Sequence, residues 1–274
     1  MDWKKITEAL VTAKAVQYIM IAILLLAAFF LPRMEGARQT NADSAAVAKL
    51  DSEILQWSES ENAASGIGEA SQKSGNAVQG SKGIIVLDPG HGGDDPGMIG
   101  GSGISEKTLN LIYAEKLKEL LEQQGYEVIL TRESENGLYD AESSHKKAQD
   151  MQRRVEVIAE YQPLVTVSIH QNSYQDPEVS GPQVFYYEHS EQGKQLANII
   201  QNHLNQELTE ARSRVEKGNG SYYILKRSKG TTVIVECGFL SNPEEEARLQ
   251  EAAYQDRVAQ AICSGVLEYL NAQL

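Results

Sequence analysis

The sequence predicts an α/β domain: a three-layer sandwich with a mainly parallel or mixed central sheet and helices on both faces. Two observations predict it. From residue 83 to residue 274, short apolar runs alternate with longer stretches whose apolar residues recur every three or four positions. One of the short runs, TTVIVECGF, is almost continuously apolar, as expected of a strand covered on both faces.

Taken in order, GIIVLD reads as a buried strand and is followed by a turn and a glycine-rich loop. A helix is expected over 106–124, because Leu109, Ile112, Tyr113, Leu117, Leu120 and Leu121 form one apolar stripe that Gly125 closes. YEVILTR is the next strand. After a polar loop, Met151, Val155, Ile158 and Ala159 mark a helix that must stop before Pro163. LVTVSIH and PQVFYYE are strands, and Leu196, Ile199, Ile200 and Leu204 mark a helix. TTVIVECGF follows as a strand, and Val258, Ile262, Val266 and Tyr269 stripe the last helix. There is no internal repeat.

The N-terminal portion has a different character. Residues 1–14 carry Lys4, Lys5 and Lys14 and read as a cytoplasmic end. Residues 15–32, AVQYIMIAILLLAAFFLP, are uncharged, almost wholly apolar and long enough to cross a bilayer core as a helix. A cleaved signal peptide shares those features, but FFLPRMEGAR offers no small-x-small cleavage site, so the expectation is an uncleaved membrane anchor. Residues 33–82 read as a flexible linker rich in Ser, Gly, Ala and Glu. Within it, Val47, Leu50, Ile54 and Trp57 form a short heptad-like seam, which reads as a marginal helix or a pairing surface. Residues 83–274 then form the folded domain, expected outside the cytoplasm.

Charge narrows the partners. The net charge is -13, and residues 83–274 hold 17 basic against 29 acidic side chains. Such a surface repels phosphate backbones, so nucleic acid is excluded as a partner. Cys237 and Cys263 are too few for a disulfide framework and read as buried small hydrophobes.

Three strands end in a residue able to bind metal or move a proton: IIVLDPGH in His91, VTVSIH in His170 and TVIVE in Glu236. In open α/β sheets, functional groups gather at the carboxyl ends of the strands. Glu106 opens the first helix after the loop GMIGGSGISE. Two imidazoles and one carboxylate form the ligand set of a catalytic zinc site with an open position, and Glu236 would stand beside it as proton shuttle. Glu106 also has a plainer reading, since an acid after Ser105 at a helix start gains from the helix dipole regardless of metal. Asp88 either orients a ligand ring or bonds its own backbone in the DPG turn. His145, His189 and His203 lie in polar surroundings and read as surface residues. Glu236 ends an apolar strand, where an unpartnered carboxylate is costly, and function explains it better than packing does.

Together the blocks VLDPGHGGDDPG, SEKTLNL, VSIHQNS and VIVECGFLSNPEE resemble those of the zinc-dependent N-acetylmuramoyl-L-alanine amidases. That resemblance spans residues 83–274. It implies hydrolysis of the amide between the lactyl group of muramic acid and the L-alanine of the peptidoglycan stem peptide. It also implies one zinc ion on His91, Glu106 and His170, with Glu236 catalytic. The segments GPQVFYYEHSEQGKQLA and SYYILKRSKGTTVIVECGFLSNPEE are similar to the sporulation and germination-specific members, whose cut leads to muramic δ-lactam in spore cortex. An accessory activator protein is a further expected partner. Gln171 departs from the small residue that many relatives carry, which bears on glycan seating if its side chain faces the cleft. Two other readings stand beside this one: cysteine chemistry, with Cys237 as nucleophile and His170 as base, and a wall-binding module without catalysis. Alternation along VIVEC puts Cys237 on the opposite strand face from Glu236, against the first of these.

Overall fold

A computed structural model describes residues 80–273. Its elements run β1 (Ile84–Pro89), α1 (Glu106–Gln123), β2 (Glu127–Leu130), α2 (Lys146–Tyr161), β3 (Val165–Asn172), β4 (Gln183–Tyr187), α3 (Glu191–Glu207), β5 (Lys217–Asn219), α4 (Tyr223–Arg227), β6 (Thr232–Phe239), α5 (Pro243–Leu249) and α6 (Ala252–Asn271). The strands form one sheet of six in the order β2-β1-β3-β6-β4-β5. β2, β1, β3 and β6 are mutually parallel, and β4 meets β6 antiparallel, so the sheet is mixed.

Strand periodicity divides the side chains into two layers. Ile85 and Leu87, Val165, Val167 and Ile169, and Val233, Val235 and Cys237 face one way into the larger core. There they meet the stripes of α1, α3 and α6, through Leu109, Tyr113, Leu117, Leu196, Ile200, Val258, Ile262 and Val266. Val86 and Ile234 face the other way, against Ile158 of α2 and Ile224 and Leu225 of α4. Helices on both faces explain why β6 is buried along its whole length. Both cysteines are buried and free.

The chain steps from β1 outward to β2, then returns past β1 to β3. The connections leaving β1 and β3 therefore diverge, and a crevice opens where they part, at the carboxyl ends of these two strands. β6 lies next to β3, with His170 and Glu236 in register as neighbours. The sheet order thus brings the ends of the three strands singled out in the sequence side by side.

Three elements were not anticipated: β5, α4 and α5. β5 spans three residues and α4 five, too short to show a period. α5 is set by Asn242, whose Oδ1 accepts the N–H groups of Glu244 and Glu245, with Pro243 in the first turn.

The expectation of a membrane anchor is corrected. Among the described residues no helix is long and apolar enough to cross a membrane. The apolar stretch at 15–32 lies outside the described residues, as do the cytoplasmic end, the seam and nearly all of the linker expected at 33–82.

Candidate metal centre

The DPG turn after β1 delivers His91 in an unusual conformation. His91 has φ 60°, and Gly92 and Gly93 follow at 143° and 59°. For a residue with a Cβ, the left-handed region costs on the order of 1 kcal/mol and persists only when the surroundings impose it. Two buried arginines do so by gripping the loop's carbonyl oxygens. Arg154 of α2 donates to Pro89 O (2.8 Å) and His91 O (2.5 Å), and Arg132 donates to Pro89 O and Gly90 O (both 2.9 Å). Arg154 is itself neutralised by Asp88 (2.7 Å) and Asp150 (2.6 Å). Asp88 takes further hydrogen bonds from Thr131 (2.6 Å) and Ser168 (2.7 Å), and these partners hold its carboxyl below its ordinary pKa although burial pushes the other way. Asp88 is thus the counter-ion of Arg154, and it acts on His91 through that arginine and the backbone.

Glu106 reaches the same point from the start of α1. Its Oε1 lies 3.2 Å from His91 Nε2 and 3.0 Å from His170 Nδ1, and the ligand atoms of all three residues fall within 4.8 Å of one another. Zinc bonds of about 2.0–2.1 Å to N or O in a tetrahedron separate ligand atoms by roughly 3.3 Å, which the two distances from Glu106 match. The carboxylate is oriented by backbone: Met98 N–H donates to Oε2 (2.9 Å) and Gln171 N–H to Oε1 (3.1 Å). Burial raises its pKa, but the two imidazoles lower it by more, and the carboxylate is held well below the usual range. The rings of His91 and His170 stand edge to face, 5.0 Å apart.

The glycines around the cluster are spatially required. A Cβ at Gly90 would lie 2.1 Å from a His170 ring carbon, and one at Gly97 would lie 2.4 Å from Glu106 Oε2 and 2.8 Å from His91 Cδ2. Bare backbone therefore lets the three candidate side chains converge on one small volume.

Glu236 is 8% exposed, and its Oε2 has no hydrogen-bond partner within the protein. Burial and the nearby negative charge of Glu106 push its pKa up to about 8. A carboxyl left orphaned beside a convergent donor set is what a nearby cation, or a water in transit, would satisfy. Cys237, one residue on, points into the apolar core, and burial raises its thiol far above the ordinary range, so it is no nucleophile.

Several residues fall away from the centre. Gln171 is buried, not in the cleft, and donates from Nε2 to Asn110 Oδ1 (3.2 Å); Asn110 in turn donates to Gly90 O (3.1 Å). His203 pairs with Glu268 (2.7 Å) on the surface, His189 is exposed, and His145 stands just before α2 as its N-cap residue. The short helix α5 anchors the loops that border the crevice. Glu246 accepts from Gly101 N–H (3.0 Å) and Ser102 N–H (2.7 Å), and Glu245 accepts from Gly181 N–H (2.9 Å) and Phe239 N–H (2.8 Å). None of Arg132, Arg154, Glu245 and Glu246 was singled out in the sequence. The available signal was an arginine on the apolar face of a helix, at Arg154 beside Val155 and Ile158.

Residues 85–268 match the family model described as N-acetylmuramoyl-L-alanine amidase. The chain belongs to this family. It is an amidase, and the reading as a wall-binding module without catalysis is set aside. Among its relatives is the germination-specific N-acetylmuramoyl-L-alanine amidase of Bacillus subtilis (strain 168), 37% identical over 191 residues that cover 69% of this chain and 80% of that one. A solved structure of the CwlD amidase from Clostridioides difficile, in complex with the GerS lipoprotein, aligns with a TM-score of 0.67 and 36% identity over 70% of this chain and 100% of that one. The catalytic domain of the amidase CwlV from Bacillus (Paenibacillus) polymyxa aligns with a TM-score of 0.61 and 32% identity, covering 69% and 98%.

Proposed function

We propose that this amidase holds one zinc ion on His91, Glu106 and His170 and uses Glu236 as its proton shuttle to hydrolyse the amide between the lactyl group of N-acetylmuramic acid and L-alanine in peptidoglycan. The observation that carries the proposal is the convergence of three ligand atoms within 4.8 Å beside a buried carboxyl with an unpartnered oxygen. Imidazole and carboxylate donors with an open position favour zinc among the common divalent ions. Bound there, zinc supplies Lewis acidity to the scissile carbonyl and lowers the pKa of water to about 7.

The protein's own residues do the remainder. Glu236 stands beside His170 on the adjacent strand, where it accepts a proton from the attacking water and delivers it to the departing alanine nitrogen. Burial and the charge of Glu106 raise its pKa, which makes the carboxylate a stronger base toward that water than an exposed glutamate would be. His91 and His170 hold their positions through the strained turn and the end of β3, and Glu106 through the hydrogen bonds of Met98 and Gln171.

The likeness to the germination-specific relative of Bacillus subtilis supports a role in spore cortex maturation, where stem-peptide removal precedes muramic δ-lactam formation. Peptidoglycan lies outside the cytoplasm, which sets the reaction on the cell-wall side. The relative complexed with a lipoprotein supports an accessory protein as partner. Chelation tests the zinc reading: amidase activity should disappear with chelator and return with added zinc, while thiol reagents leave it intact. Activity that survives complete metal removal would refute it.

A further inference from the structure

The two imidazoles of the cluster are held in different ways. His170 turns Nδ1 toward Glu106 (3.0 Å), and its ring sits in the space left by Gly90. His91 turns Nε2 toward Glu106 (3.2 Å), and its Nδ1 lies 3.0 Å from Asp95 Oδ2. Asp95 is firmly placed. Its Oδ1 accepts the N–H of Gly97 (3.1 Å), its backbone pairs in both directions with Gly92 (3.0 and 3.2 Å), and Lys147 Nζ stands 3.6 Å from Oδ2.

A neutral imidazole has two tautomers, and only the one with its proton on Nδ1 leaves Nε2 with a free lone pair. We propose that Asp95 is the positioning residue of the centre: by accepting the Nδ1–H of His91 it fixes the tautomer and ring orientation in which Nε2 can bind a metal ion. The inference rests on reading His91, Glu106 and His170 as metal ligands. A fixed ring matters here because the His91 backbone lies in a region it does not favour, and the neighbouring glycines offer no side chains to brace it. The carboxylate also makes the imidazole a stronger donor.

The bland alternative is that Asp95 only closes its turn through Gly97. Asp95→Asn separates the two roles. Its remaining oxygen still accepts the Gly97 N–H, but its amide then presents N–H to His91 Nδ1 and stabilises the wrong tautomer, the logic by which an Asp-to-Asn change disables a catalytic triad. The test uses the full chain, with zinc affinity measured by competition against a chromophoric chelator, the absorption spectrum of the cobalt(II)-loaded protein, and urea unfolding of the metal-free protein at a pH above the titration of His91, where its ion pair with Asp95 no longer contributes to stability. Asp95→Asn should keep the unfolding midpoint, weaken zinc about 10- to 100-fold and change the cobalt spectrum, with Asp95→Ala weakening zinc by a similar factor. Wild-type zinc affinity in both variants would overturn the proposal, as would an affinity loss in Asp95→Asn that appears only together with a lowered unfolding midpoint. His170→Ala, measured in parallel, separates the two levels. If it too binds zinc normally, the ligand reading itself fails; if it alone loses zinc, only the role of Asp95 fails.

Discussion

Replacing Glu236 by glutamine should change how stability depends on pH, and the size of the change follows from its burial. In the metal-free protein the carboxyl titrates near pH 8, against an ordinary value of 4.5 for an exposed glutamate. Between those values the folded state keeps a proton that the unfolded chain has released, so stability falls as pH rises, by about 1.4 kcal/mol per pH unit. The whole interval amounts to roughly 4 to 5 kcal/mol, a large part of the stability of an ordinary domain. His91 acts in the same direction over a different window. Burial lowers its pKa, but hydrogen bonds to Asp95 and Glu106 raise it by more, to about 9. Its contribution is therefore complete below pH 6.5 and is lost as pH climbs toward 9. Both proteins keep His91, so subtraction removes most of its effect, apart from its coulombic coupling to Glu236. Urea unfolding of metal-free wild type and Glu236→Gln at pH 5, 6, 7 and 8 should show the variant gaining on the wild type at each step. A stability difference that stays constant with pH would refute the reasoning.

Other outcomes follow from the same geometry. Glu236→Gln should retain zinc but lose at least about 100-fold in turnover, whereas His170→Ala should lose the metal; metal analysis and kinetics on the two proteins check this. Arg154→Met leaves Asp88 buried without its counter-ion and frees the His91 carbonyl. It should cost about 3 to 5 kcal/mol, read from urea unfolding, and weaken zinc as well. Gly90→Ala should disturb the metal centre more than the fold, because the added methyl meets the His170 ring and little else has to move; a chelator competition showing undiminished affinity would contradict this.

Much of the architecture was legible because burial imposes a period. The strands at GIIVLD, LVTVSIH and TTVIVECGF and the helices between them emerge where apolar spacing demanded them, and parallel pairing then brings three strand ends together. His91, His170 and Glu236 stood out for that reason. Glu106 stood out less, since a helix-start acid looks the same whether it caps or coordinates, and the family resemblance strengthened its candidacy as a ligand. What escaped were polar partnerships between distant segments. Arg154 meets Asp88 across 66 positions, and Glu246 meets Gly101 across 145. No local period encodes such pairs, because each is chosen by the fold that first brings the segments together. Gln171 illustrates the same limit: its neighbour His170 is at the cleft, yet strand alternation turns Gln171 inward to Asn110.

The most direct test treats purified peptidoglycan with the zinc-loaded full chain and with Glu236→Gln, and identifies the released muropeptides by mass spectrometry. The account predicts intact stem peptides with a free L-alanine amine and glycan whose muramic acid carries a free lactyl carboxylate, formed by the wild type and not by the variant. Cleavage at a glycosidic bond or within the stem peptide, or equal product from both proteins, would contradict it.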